Sequence, residues 1–289
     1  LWTFTSLFFT SAGKKIGALS VNAYRIVMAV AFLGVTHVIL MGTALPVATN
    51  EQWFWMGVSG IVGLGIGDLA YFGALVTIGP RRSVLIYAMS PIFASIVAYL
   101  ILGEIISTFA ILGIAITLGG ITVVVMEEEE RSGEAPVPKK LRNYGVFLAV
   151  IGAIGQGVGL VLSKKGIYLN PASTLDPLSA TLMRMILGAL FVWIVAVAAR
   201  RLPELRKAIR IKEGIGQTTV GAFMGPFLGV TLSMVAVTYT EAGVAQTLMS
   251  LMPVLIIPVV WILYKQKTSL RGILGAAVAV VGVSILFLT

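Results

Sequence analysis

LSVNAYRIVMAVAFL, residues 19–33, and LSATLMRMILGALFV, residues 178–192, align without a gap, sharing Leu, Ser, Arg and Phe. Each is almost wholly apolar and carries a single arginine, so Arg25 falls on Arg184. Both stretches lie inside longer apolar runs that do not alternate with polar residues. That is the pattern of a lipid-spanning helix, not of a barrel strand. A span of this kind written twice, in register, divides the chain into two similar halves.

The repetition continues outward from this pair. Lys14-Lys15 precedes the first stretch and Lys164-Lys165 the second. MSPIFASIVAYL (89–100) answers LMPVLIIPVVWIL (251–263) and puts Pro91 on Pro253. ILGIAITLGG (111–120) answers ILGAAVAVVG (273–282). Composition agrees: 58% of the 289 residues are hydrophobic and 11% are charged, against about 25% charged in a soluble domain. In lipid every backbone polar group must be satisfied internally, so an all-α polytopic membrane protein is expected.

About ten spans are expected, over residues 1–13, 21–41, 53–78, 84–102, 105–126, 144–162, 178–198, 216–238, 242–264 and 270–288. They form a first five-helix repeat over 1–126, a charged linker over 127–142 and a second five-helix repeat over 143–289. An odd number of spans per repeat gives the two repeats opposite polarity. That inverted design places a binding site between the repeats near the midplane. No cleavable signal peptide is evident, and the chain opens inside an apolar segment without a Met, so further sequence ahead of Leu1 is expected.

The order of features resembles the EamA-like family of the drug/metabolite transporter superfamily. A basic residue ends the first span, Arg opens the second, and AYFGAL lies in the third. SP lies in the fourth, which closes with Leu102-Gly103-Glu104 before a Gly-rich fifth, and the set then recurs. The second half departs from the pattern at Tyr264-Lys265-Gln266, where the family often has a Gly-Glu pair. The resemblance covers essentially the whole chain. It implies a ten-helix basket that exports or exchanges metabolites such as amino acids without ATP.

Orientation follows from the basic residues. Lys14, Lys15, Arg81, Arg82, Arg131, Lys139, Lys140, Arg142, Arg200, Arg201, Arg206, Lys207, Arg210, Lys212, Lys265, Lys267 and Arg271 all fall after odd-numbered spans. Only Lys164 and Lys165 fall on the other side. The positive-inside rule makes the first set cytoplasmic and both termini external. The family resemblance implies cytoplasmic termini instead; the charge count, being this chain's own property, is preferred.

Several residues are candidates for substrate binding. Asp68 lies inside the third span, where a central carboxylate costs about 2.5–3.5 kcal/mol on insertion scales and so faces a cavity or a partner. It is expected to bind a cationic substrate group or a proton, or to pair structurally with Arg25. Arg25 and Arg184 are candidates for a substrate carboxylate, with snorkelling to the interface as the alternative. Tyr71, Tyr87, Gln156 and Gln246 are polar groups in apolar spans that suit either a pocket or interhelical hydrogen bonds. His37 reads as a packed or interfacial histidine and Glu241 as an interfacial acid. Gly221, Gly225 and Gly229, like Gly63 and Gly67, recur every four residues, spacing that lets helix backbones approach closely. Pro91 and Pro253 are expected to kink their spans.

Other chemistries find little support. There is no cysteine and a single histidine, so thiolate sites and histidine metal clusters are excluded. No cofactor and no nucleic acid is expected, since the net charge of +9 sits between spans. GxG patterns such as Gly65-Ile66-Gly67 lie within spans and fail the context of a nucleotide fingerprint. The expected function is secondary transport of a small metabolite across the cytoplasmic membrane by alternating access. The partners expected are that substrate, the lipid bilayer and, as a candidate coupling ion, a proton, in a monomer or homodimer. An intramembrane enzyme acting on a lipid-linked substrate and a non-transporting scaffold are the alternatives.

Overall fold

The computed structural model describes residues 2–78, 80–132, 138–169, 174–251, 254–255 and 269–286. Every regular element among them is helical. The helices are α1 (Trp2–Ile16), α2 (Ala18–Met41), α3 (Asn50–Ser59), α4 (Asp68–Ile78), α5 (Pro80–Tyr87), α6 (Ser90–Leu102) and α7 (Thr108–Ser132). The second half contributes α8 (Lys139–Ile167), α9 (Pro177–Ala198), α10 (Leu202–Ile209), α11 (Lys212–Ala222), α12 (Val230–Tyr239), α13 (Ala242–Met249) and α14 (Leu270–Leu286). Two π-helical segments, Gly60–Gly67 and Phe223–Gly229, join α3 to α4 and α11 to α12.

Among the described residues seven helical stretches are long and apolar enough to cross a membrane, the first at Ala18–Met41 and the last at Lys212–Tyr239. Of the other expected spans, α1 has 15 residues and the apolar part of α14, Leu270–Ile285, is also short. About half of the expected ninth span, with Pro253 and Tyr264, lies outside the described residues, as do Lys265 and Gln266 after it. The chain is a multi-pass membrane protein. The charged run after residue 126 begins as helix, with α7 continuing through Ser132; glutamate is a good helix former once the chain has left lipid.

Local chemistry sets the ends. Thr49 and Gln52 form a reciprocal capping box at the start of α3, and the Asp176 carboxylate accepts the Ser179 N–H at 2.9 Å to start α9. α2 and α6 stop at Gly42 and Gly103, with φ of 72° and 69°, a left-handed conformation that glycine adopts without a Cβ penalty.

The helices sort into two compact units that do not follow the halves of the sequence. Unit 1 takes residues 1–69 and 158–239; unit 2 takes 70–157 and 240–289. Each therefore draws helices from both halves.

In unit 1, α1 runs antiparallel to α11 and the π segment after it. A Cβ on Gly214 would lie 2.5 Å from Ile16, one on Gly221 would run into the Phe9 ring, and one on Gly225 would lie 2.5 Å from Thr5. The four-residue glycine spacing thus marks a close helix contact. α2 and α9 are also antiparallel: the Tyr24 hydroxyl donates to the Leu205 carbonyl beyond the end of α9 at 2.9 Å, while His37 meets Ser179 at its start. A core of Ile26, Leu33, Leu182, Met185 and Val192 fills the space between.

In unit 2, α7 packs antiparallel against α14 through the two copies of the ILG motif. A Cβ on Gly120 would lie 2.6 Å from the Gly275 carbonyl oxygen, and one on Gly282 would lie 2.8 Å from that of Gly113. Because Gly113 aligns with Gly275 and Gly120 with Gly282, each contact is the mirror of the other across the repeats.

Candidate functional site

The seven residues singled out from sequence divide between the units. Arg25, Asp68 and Arg184 belong to unit 1; Tyr71, Tyr87, Gln156 and Gln246 belong to unit 2.

Arg25 and Asp68 meet. The Arg25 Nη2 donates to the Asp68 Oδ2, and the residues are 6% and 8% exposed, so the pair is buried. The Arg25 Nε donates to the Asn22 Oδ1 at 2.9 Å, and the guanidinium carbon sits 5.7 Å from the centre of the Phe9 ring. Asn22 and Arg25 are three apart on one helix, so their side chains share a face. Asn22 is fully buried, and its Nδ2 has no hydrogen-bond partner among the described residues. Asn22 escaped the sequence reading; the spacing to Arg25 was the available signal.

Arg184 is 2% exposed, deep in unit 1. Its carbonyl oxygen fills the space where a Cβ on Gly60 would go, and its Nη2 lies 3.2 Å from the Cβ position of Gly159. Both arginines are thus buried in the helix bundle. Their settings differ. With Gly63 on Gly225 and Gly67 on Gly229, the position corresponding to Asp68 is Val230, so the arginine is duplicated and the acid is not.

The π segments also correspond. Each carries backbone bonds of wider span: the Asp68 N–H donates to the Gly63 carbonyl and the Val230 N–H to the Gly225 carbonyl. Pro226 has no N–H to close an α-helical bond, and the first segment has four glycines of low helix propensity. Tight packing claims those glycines: Gly60 lies against Arg184 and Gly63 against Gly159. π segments occur often at functional sites, and here one ends at Asp68.

In unit 2 the Tyr71 and Tyr87 rings stack at 4.1 Å between centroids with planes tilted by 33°. Gln246 is 2% exposed; its Nε2 donates to the Ser90 Oγ at 2.9 Å, and its Oε1 has no partner among the described residues. Gln156 is half-buried beside Gly157, whose Cβ position is 2.8 Å from the Ala94 nitrogen. Ser90 and Gln246 therefore lie on packed neighbours, α6 and α13.

Two further polar groups have structural duties. His37, 1% exposed, contacts the Thr43 carbonyl through Nδ1 at 2.7 Å and the Ser179 Oγ through Nε2 at 2.9 Å. A carbonyl only accepts, so Nδ1 carries a proton, and the histidine is a packed one. Glu104 accepts the Ala242 N–H at 2.9 Å and so caps α13. Its role comes from a tertiary contact that sequence spacing did not reveal.

Comparison with known proteins agrees with this architecture. A solved structure titled "Crystal structure of protein" superimposes with a TM-score of 0.69 over 100% of this chain and 92% of its own, at 17% identity, which shows a shared fold. No curated protein matches the chain. The model of the EamA-like transporter family matches residues 1–126 and again 143–288. This chain therefore belongs to the EamA-like transporter family and is a membrane transporter of the drug/metabolite type.

Proposed function

We propose that this protein is a secondary transporter of ten spans in two inverted repeats, moving a small zwitterionic metabolite of the amino-acid class across the cytoplasmic membrane by alternating access. The observation that carries this reading is the buried Arg25–Asp68 pair beside the π segment. A lone charge in that setting is strongly disfavoured, so either partner is released only when another takes its place. A zwitterion supplies both replacements: its carboxylate to Arg25 and its amine to Asp68. The exchange then conserves charge pairing, which keeps the cost of entry low.

The antiparallel course of α2 and α9, which carry the equivalent arginines, supports the inverted arrangement, as does the reciprocal glycine packing of α7 on α14. Arg184, in the same unit, is a further candidate contact, while Tyr71, Tyr87, Gln156 and Gln246 are candidate contacts within unit 2, where the Gln246 Oε1 has no partner among the described residues and can accept from a donor group. A proton on Asp68 is the alternative occupant when no amine is bound.

Thermal stability of the purified protein against a ligand panel tests this. A ligand at about 100 times its Kd stabilises the folded state by about 2.7 kcal/mol. Amino acids should raise the melting temperature more than the matched amines or carboxylates that bear one charge. Equal shifts from a zwitterion and its amine analogue would remove Arg25 from the site.

A further inference from the structure

The segment between α9 and α11 is strongly basic. From Arg200 to Glu213 it carries six Lys or Arg and two Glu. Its helix α10 buries Leu205 and Ala208, while Ile209 and the following Ile211 are 56% and 40% exposed. It lies in unit 1 against the junction of α1 and α2, where Lys15 pairs with Glu213. A pocket of about 340 Å³ opens there, lined by Lys15, Gly17, Ser20, Lys207 and Ile211 among others.

Three features suit this pocket to an anion. Gly17, with φ of 79°, begins the 24-residue α2 without a side-chain cap, and the first N–H turned back into the helix is that of Val21, to the Gly17 carbonyl. The amides of Ala18, Leu19 and Ser20, which line the pocket, are the unsatisfied donors of a helix N-terminus. Ser20 is only 3% exposed, yet its hydroxyl has no hydrogen-bond partner among the described residues. Lys207 has no ion-pair partner among them either, whereas Glu204 is held by Arg201 and Lys15 by Glu213.

We propose that this pocket binds the phosphate of an anionic phospholipid headgroup from the leaflet bordering the basic loops. The amides, the Ser20 hydroxyl and Lys207 take the phosphate oxygens. The wall also carries Lys15 and Glu204, each held in an ion pair of its own, beside an apolar part made by Ile16, Leu19, Ala208 and Ile211, and Ile209 stands exposed nearby. A soluble phosphate gains nothing from that apolar part, whereas a lipid lays its glycerol and upper acyl chain along it.

Native mass spectrometry of the full chain, released from micelles doped with phosphatidylglycerol or phosphatidylcholine, tests the site. Lys207→Gln should weaken phosphatidylglycerol binding about fivefold, the worth of one basic residue at an anionic surface. Ser20→Ala should weaken it about tenfold, as expected for a hydrogen bond to a charged group. Lys140→Gln removes the same charge from α8 and should change nothing. Loss with Lys140→Gln equal to that with Lys207→Gln would reduce the effect to diffuse charge and overturn the proposal. Equal binding of phosphatidylcholine, or no binding of phosphatidylglycerol, would overturn it too. Glycerol 3-phosphate or inorganic phosphate displacing the lipid at micromolar concentration would assign the pocket to a soluble phosphate compound instead.

Discussion

Replacing Asp68 by Asn removes one charge from a buried pair and leaves Arg25 in place. Breaking such a pair costs about 3–5 kcal/mol, mostly because the surviving charge stays buried. Two neighbours lower that figure here. The Asn22 Oδ1 still accepts from Nε at 2.9 Å, and the Phe9 ring still faces the guanidinium; a cation–π contact contributes about 0.5–2 kcal/mol. The amide that replaces the carboxylate would also keep one neutral carbonyl acceptor. We expect Asp68→Asn to destabilise by about 2–3 kcal/mol, and Arg25→Gln by a similar amount, since it strands the carboxylate. The double variant should cost about as much as either single change and not their sum, a coupling of about 2–3 kcal/mol. Denaturant unfolding in mixed micelles, read by tryptophan fluorescence, measures all four corners of the cycle. Strictly additive single losses would show that the two side chains do not depend on each other, and would refute the pairing argument. Flux separates structure from function: a stable double variant that still transports confines the pair to a structural role.

Other positions give sharper structural tests. Gly60→Ala drives a methyl onto the Arg184 carbonyl, a backbone atom that cannot swing away, and should cost about 3 kcal/mol or more. Gly34→Ala meets nothing within 4 Å in the middle of α2 and should be neutral or stabilising by up to about 1 kcal/mol; both follow from the same unfolding assay. Glu104→Ala removes the acceptor from the Ala242 N–H and should lower stability by about 1 kcal/mol, with Glu104→Gln restoring most of it. Because the chain has no cysteine, single-cysteine labelling reads orientation directly. Thr49→Cys should react with an impermeant maleimide in intact cells and Arg201→Cys should not; the reverse pattern inverts the charge-based assignment.

What could be read from the sequence was what depends on single residue types and on period. Apolar run length marked the chain as a helical multi-pass membrane protein, the aligned arginines pointed to the two halves that the family model matches, and the four-residue glycine spacing marked faces that do pack closely, as Gly221 and Gly225 do on α1. Asp68 stood out because an acid in a span needs a partner, and Arg25 was nameable as that partner. The rest depends on tertiary contact. The π segments arise where glycines and Pro226 meet neighbouring helices, and no local propensity announces a wider turn. The interleaved units follow from α8 and the α3–α4 helix each contributing to both, which a division of the chain into halves hides. Ser90 and Glu104 matter through partners that spacing along the chain alone did not name.

Counterflow in proteoliposomes tests the central claim most directly. Vesicles holding wild-type protein and an excess of unlabelled amino acid should accumulate the labelled zwitterion transiently, without ATP. Vesicles holding the charge-neutral Arg25→Gln/Asp68→Asn variant, folded and inserted equally well, should not. Accumulation by that variant at the wild-type rate would contradict substrate exchange at the Arg25–Asp68 pair.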